Sequence, residues 1–374
     1  MEEKTMGNGS ISIRKILGFC AACIAFYIGA GFATMQEVMQ YEASYGSQFW
    51  VVILVAAAIY VYTNWSFTAN GNREKLSRGG DIYTVYCGKW IGRFFDYFSA
   101  FFCYMCFIVM CGGANSTAME QWHLPNGVGA IILAVAAIVT VFFGLNSMLR
   151  VLKWVGPAII ILILFIAGVT AVIGWENFSE GLKVVDSHQY KIVQVGEGNP
   201  FASGASYGGF VILWFAAFLA EIGGKNKVKE VNLGMLLSTV AIFGAAAICC
   251  VSLIANIHTT WNVGIPALVL ANQIHPLFAG IFAIIIYLGI FSSACPLLWT
   301  GIRKVSVDGT TQYKAITIIG GLLGLTVSCL VPYKGVLNII YGLNGYLGFI
   351  LVAFMIVKDI RSYWRKASLK KSKD

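Results

Sequence analysis

Chemistry concentrates in one short run, Gly29-Ala30-Gly31-Phe32-Ala33-Thr34-Met35-Gln36-Glu37, in the middle of the first long apolar segment. Gly29 and Gly31 weaken a continuous helix, because glycine loses the most backbone freedom on ordering. Thr34-Met35-Gln36-Glu37 then has the S/T-x-x-E form of a capping box, which satisfies the first free N–H groups of a new helix. The run therefore reads as two half-helices joined by irregular backbone, the second beginning at Thr34. A spanning helix takes about 20 residues, so this break falls near or just beyond the bilayer midplane. Backbone that leaves the helix at that depth survives only inside protein or beside a water-filled cavity. The free N–H groups and positive end of a half-helix suit a carboxylate. Gly29, Ala30 and Gly31 would let a ligand approach the backbone, Phe32 would shape a pocket wall, and Gln36 offers a polar contact. Close packing against another span is the competing reading of the small residues. Glu37, a carboxylate inside a span, serves equally well as the second half of the cap or as a proton or cation relay.

The rest of the chain is membrane. Its 374 residues are 58% hydrophobic and 11% charged, with a mean hydropathy of +0.75. Soluble proteins carry roughly twice that charge fraction. A formal charge of +9 would suit nucleic acid in a soluble domain, but here its placement follows membrane topology. Glu2 and Glu3, with the length of the first apolar segment, argue against a cleaved signal peptide. The ten cysteines lie almost entirely in apolar runs and read as small hydrophobes. Cys20-x-x-Cys23 and Cys103-x-x-Cys106 lack the second pair of loop ligands a metal site needs. No phosphate loop, nucleophile–histidine–acid pattern or cofactor motif occurs, so neither an enzyme nor a cofactor is expected.

Apolar segments fall at 15–43, 48–69, 94–118, 127–145, 151–174, 207–224, 231–256, 277–302, 315–332 and 336–357, which predicts an all-α protein with about ten spans. With the N-terminus placed in the cytoplasm, 23 of the 26 lysines and arginines fall inside, and only Lys183, Lys191 and Lys334 outside. That bias predicts both termini cytoplasmic. It divides the chain into a tail (1–13), a transmembrane domain (14–358) and a basic tail (359–374) with Tyr363 and Trp364. Within the domain, an outer loop (175–206) separates five spans (14–174) from five more (207–358). An odd number of crossings inverts the second half relative to the first, the plan of many secondary transporters with a midplane site. Residues Ile82–Trp90 fit either a short interfacial helix or a solvated loop.

The run at 29–37, Ile265-Pro266 before the eighth span and Phe291-Ser292-Ser293-Ala294 within it resemble the bacterial YkvI-type membrane proteins over about 15–357. Met35 stands where that family usually has glycine. Through this family the chain is similar to the amino acid–polyamine–organocation superfamily, whose five-plus-five LeuT-type fold has a discontinuous first helix. The resemblance implies alternating-access transport of a small, amino-acid-like solute across the plasma membrane, often coupled to sodium or protons. It also implies that the first and sixth spans cradle the solute, and that adjacent hydroxyls in the eighth bind sodium. The sodium ligands would be the Ser292 and Ser293 hydroxyls and the carbonyls of Gly289, Ala25 and Ile28. Proton-coupled relatives carry a lysine in its place, whereas Lys153 lies only at the inner mouth of the fifth span, which favours sodium.

The sixth span carries Trp214, Phe215 and Phe218, fit either to stack on a solute or to pack, and neither Gly nor Pro at its centre to break it. Ser203–Gly209 loosens only its outer entrance. Glu221, near Lys225, reads as a gate ion pair or a snorkelling surface charge. Gly264–Ala271 suits a short re-entrant helix acting as an outer lid, flanked by His258 and His275. A non-transporting solute sensor or structural protein on a transporter fold is the alternative, and a passive channel is third. The partners expected are a small solute and the bilayer, without nucleic acid. Oligomeric state is left open.

Overall fold

The computed structural model describes residues 11–76, 78–331 and 345–361, with backbone alone for residues 30, 120 and 145–156. The first span comes in three pieces: α1 (Ile13–Tyr27), the single turn α2 (Ala30–Ala33) and α3 (Gln36–Tyr41). A 3-10 stretch, Ala43–Gln48, turns at Gly46 (φ 51°) into α4 (Phe49–Arg73). The next helix, α5 (Asp81–Trp122), is interrupted at Gly88 (φ 73°), and its first turns are the helix weighed over Ile82–Trp90. Then come α6 (Val128–Phe142), α7 (Leu145–Ile173), α8 (Phe178–Asp186), α9 (Pro200–Lys225) and α10 (Val228–Ala255). After the turn α11 (Ile257–Thr260) follow α12 (Pro266–Ile274), α13 (Pro276–Arg303), α14 (Thr311–Leu330) and α15 (residues 345–361).

Six helices among the described residues are long and apolar enough to cross a bilayer, or seven if Pro157–Ile173 and Trp175–Asp186, bent by 70°, form one span. Ten apolar segments do not become ten long helices, because the first is broken and the fourth yields the 15-residue α6. The tenth, and the basic tail, lie partly outside the described residues. Large apolar side chains such as Val240 (75% exposed) and Val172 (77%) stud the outside. Lipid removes the penalty that water would impose on such surface.

Close helix contact needs small residues, and α4 meets α9 along a row of them. A Cβ on Gly223 would lie 2.5 Å from the Thr68 carbonyl oxygen, and one on Gly204 would lie 2.6 Å from that of Val52. The stretch 203–209, expected to loosen the entrance of the sixth span, is instead regular helix. Asn199 Oδ1 accepts the N–H groups of Phe201 (2.9 Å) and Ala202 (3.2 Å), and Pro200 follows the cap, so α9 starts seven residues before the apolar run at 207. Buried along most of its length, α9 forms the centre of the bundle with α1, α10 and α13.

Candidate functional site

The site begins where α1 stops. Ile28 takes an extended backbone (φ −76°, ψ 90°), and the Gly29 N–H turns back to the Tyr27 carbonyl (2.9 Å) instead of that of Ala25. Carbonyls at the end of α1 are thereby released from the helical ladder. Facing them, α13 brings two fully buried hydroxyls. Ser292 Oγ lies 2.7 Å from the Ala25 oxygen and 2.8 Å from that of Gly289. Ser293 Oγ lies 2.8 Å from the Ile28 oxygen and 3.1 Å from that of Phe26. The structure thus brings together Ala25, Ile28, Gly289, Ser292 and Ser293, and adds the Phe26 carbonyl, absent from the expected set. Two hydroxyl hydrogens face four carbonyl oxygens, so acceptor capacity is left over. Oxygen donors without a carboxylate suit a hard cation of low charge. A Cβ at Gly289 would come 3.1 Å from that of Ala33, which is how α13 gets this close.

The second half of the break differs from expectation. The helix starts at Gln36, not Thr34, and its cap is Met35 in the left-handed conformation (φ 60°, ψ 11°) without a side-chain cap bond. That left-handed residue turns the chain between Thr34 and the helix, so Thr34 never reaches the capping position. Its hydroxyl donates to the Gly31 carbonyl (3.1 Å) and lies 3.4 Å from the Gln36 nitrogen. The buried Glu37 carboxyl folds over Gly31, where any Cβ would overlap it, and accepts the Tyr207 hydroxyl at 3.4 Å. A protein carboxylate therefore already sits beside the break. Gln36 Oε1 is buried without a hydrogen-bond partner among the described residues. The Thr34 carbonyl accepts the Ala267 N–H (3.1 Å), which ties α12, the expected lid, to the break. Of Ala30 only the backbone is described.

Aromatic rings fill the space around it. Phe26 stacks with Trp214 at 6.0 Å and meets Phe215 at 4.9 Å and Phe218 at 5.0 Å. Tyr27 lies among Phe32 (5.9 Å), Tyr60 (5.6 Å), Tyr207 (6.1 Å) and Phe243 (5.8 Å). A Cβ on Gly29 would stand 2.9 Å from Met110 Cε and 3.5 Å from the Trp214 ring, so only glycine leaves these two in place. The sixth span, inverted partner of the first, does not break: α9 is continuous through Trp214 and Phe218. Sequence reading missed Tyr27, Tyr60, Tyr207 and Glu42. Glu42 is fully buried, with the Cys250 thiol 3.7 Å from Oε2. Its signal was available, since it is a second carboxylate within the first apolar segment.

At the lysine- and arginine-rich end, Glu221 is 3% exposed, which rules out the snorkelling surface charge. Lys225 Nζ lies 2.6 Å from Glu221 Oε1 and an Arg303 nitrogen 3.8 Å from it. Arg303 Nε also approaches Asp308 (3.4 Å), which accepts Trp299 Nε1 (3.2 Å), and Lys304 pairs with Asp96. Asp96, Glu221, Arg303 and Lys304 line a small cavity together with Arg78, and their ion pairs bind α5, α9 and α13 together. His275 Nδ1 accepts the Leu277 N–H (3.2 Å), while His258 bonds Tyr190 (2.8 Å) and approaches Glu180 (3.7 Å). The Lys153 side chain lies outside the described residues.

No family model matches this chain, and no curated protein matches it in sequence. Solved structures do match. MhsT in complex with L-phenylalanine superposes with a TM-score of 0.63 at 18% identity, over 94% of this chain and 90% of that one. Mhp1, a nucleobase-cation-symport-1 family transporter, in a closed conformation with bromovinylhydantoin bound, gives 0.58 at 13%, over 93% and 80%. The Eremococcus coleocola manganese transporter gives 0.56 at 13%, over 95% and 80%. At these identities the likeness establishes the fold: the chain is an all-helical, multi-pass membrane protein with the LeuT-type architecture of these transporters.

Proposed function

We propose that this chain is a secondary active transporter that carries a small amino-acid-like or related solute by alternating access, with sodium as the coupling ion. It sits in the cell membrane with both termini cytoplasmic, and it belongs with the YkvI-type proteins that its motifs resemble. The observation that carries this reading is the oxygen cluster where α1 breaks against Ser292 and Ser293. A cation held there bonds both to the end of α1 and to α13. Its affinity then depends on how the two elements sit, which is the differential binding that any coupling ion must supply.

In this reading the solute occupies the break. Gly29, Ala30, Gly31, Thr34 and Gln36 provide backbone and polar contacts, and Phe32, Trp214, Phe215 and Phe218 form the apolar wall. The ring cluster suits an apolar or aromatic side chain, a chemistry also found in the L-phenylalanine held by MhsT. Glu37, beside the break, links solute occupancy to the aromatic layer through Tyr207. Glu221, with Lys225 and Arg303, closes the cytoplasmic side. Uptake of a radiolabelled amino acid panel into proteoliposomes tests the reading. A solute that accumulates under an inward sodium gradient, and not when potassium replaces sodium, supports it. Binding without sodium- or proton-driven flux across the panel overturns it and favours a sensor.

A further inference from the structure

Away from the break, a cavity of about 600 Å³ lies between the start of α5 and α15. Its α5 wall is Tyr86, Cys87 and Gly88, where the left-handed glycine interrupts the helix. Nothing lies within 4 Å of a Cβ built on Gly88, so the space there is open. The α15 wall is apolar, with Ala353, Phe354 and Val357 (47% exposed) facing it, and ends in Lys358 and Arg361.

Among the described residues the groove's cations form no salt bridge, and Glu74 and Asp359 act on Lys358 only from beyond ion-pair distance. Lys358 Nζ lies 3.3 Å from Asn70 Oδ1 and 4.6 Å from the centre of the Tyr86 ring, and neither partner carries a charge. No carboxylate forms a salt bridge with Lys358 or Arg361 among the described residues. The adjacent Asp359 is engaged elsewhere, accepting Tyr62 (3.1 Å) and Ser66 (3.0 Å) from α4. A half-buried Lys358 and an exposed Arg361, neither in a salt bridge, at the end of an apolar channel suit a ligand that is anionic at one end and hydrocarbon at the other.

We propose that this groove binds an anionic phospholipid of the surrounding leaflet, its phosphate against Lys358 and Arg361 and an acyl chain along Ala353, Phe354 and Val357. The site is independent of the transport reading and would persist if no solute were carried. Each cation near a lipid phosphate contributes about 1 kcal/mol, or about fivefold in affinity, so losing both weakens binding about 30-fold.

The test titrates the purified full-length protein in neutral detergent with phosphatidylglycerol or phosphatidylcholine and follows thermal stability. Phosphatidylglycerol should bind more tightly than phosphatidylcholine, its affinity falling about fivefold in Arg361→Gln and about 30-fold in Lys358→Gln/Arg361→Gln, and Ala353→Trp should also weaken it by filling the channel. Phosphatidylglycerol should slow alkylation of Cys87 in the unsubstituted protein and spare the exposed Cys329, a readout that does not depend on any variant folding. Equal affinity for the two lipids, unchanged phosphatidylglycerol binding in Arg361→Gln, or unslowed Cys87 alkylation overturns the proposal. So does inorganic phosphate giving the same protection, since that makes the groove a free-anion site.

Discussion

Replacing Ser292 and Ser293 by alanine separates two contributions of the oxygen cluster, one structural and one ionic. Without a cation, the two hydroxyls are the side-chain donors to the carbonyls of Ala25, Phe26, Ile28 and Gly289, all within 2.7–3.1 Å. Each buried acceptor left unmet costs about 1–3 kcal/mol. Each serine supplies one hydrogen, so the double variant should lose on the order of 2–6 kcal/mol of stability in potassium chloride. Sodium at ten times its dissociation constant adds RT ln 11, about 1.4 kcal/mol, to a protein that binds it only when folded. Melting curves in sodium and potassium chloride at one ionic strength cancel general screening and leave that specific term. The unsubstituted protein should melt about 2 °C higher in sodium, and the double variant at one temperature in both salts. Ser293→Thr, which keeps the hydroxyl, should retain part of the sodium response. A double variant with an undiminished difference between the salts would refute the cluster as the ion site.

The left-handed backbone of Met35 makes branching at that Cβ costly, so Met35→Ile should be at least 1 kcal/mol less stable than Met35→Leu, of similar volume. Chemical denaturation in detergent distinguishes them, and equal stability would contradict the assigned turn. Glu221→Ala leaves Lys225, 55% exposed, in solvent and Arg303 still paired with Asp308, so it should cost only about 1–2 kcal/mol. Lys225→Ala should cost more, about 2–3 kcal/mol, because among the described residues it leaves the buried Glu221 carboxylate with only Arg303 at 3.8 Å. The order of their melting temperatures checks the asymmetry. Gly223→Val forces side-chain atoms into the Thr68 backbone of α4, and overpacking of about 3 kcal/mol or more should show as loss of the monodisperse peak in size-exclusion chromatography.

Membership of the helical membrane class, and the position of the break, were legible because both follow from local terms. Apolar length, glycine entropy and lysine–arginine placement act within a segment, whatever its neighbours do. Where the second half-helix begins was not legible. Thr34 and Glu37 have the right types and spacing for a cap, yet the left-handed turn at Met35, buried against the bundle, displaces the start to Gln36. The serine pair was recognisable from resemblance, but the Phe26 carbonyl was not, since nothing in its side chain marks its backbone. Glu221 and Lys225 are neighbours in sequence, whereas Arg303, Asp308 and Trp299 join them only through the approach of α13 to α9.

By itself, then, the amino-acid sequence determined that this is a multi-span helical protein and that its first helix is weak between Gly29 and Thr34. Tertiary structure decided what that weakness faces: Ser292 and Ser293, 267 residues away from Ala25 and Phe26 respectively, and a continuous α9 where a second break was sought. The physical reason is range. Helix propensity and hydrophobicity are set within a few residues. The meeting of a freed carbonyl with a distant hydroxyl depends on how closely two helices pack, and here glycines such as Gly289 set that distance.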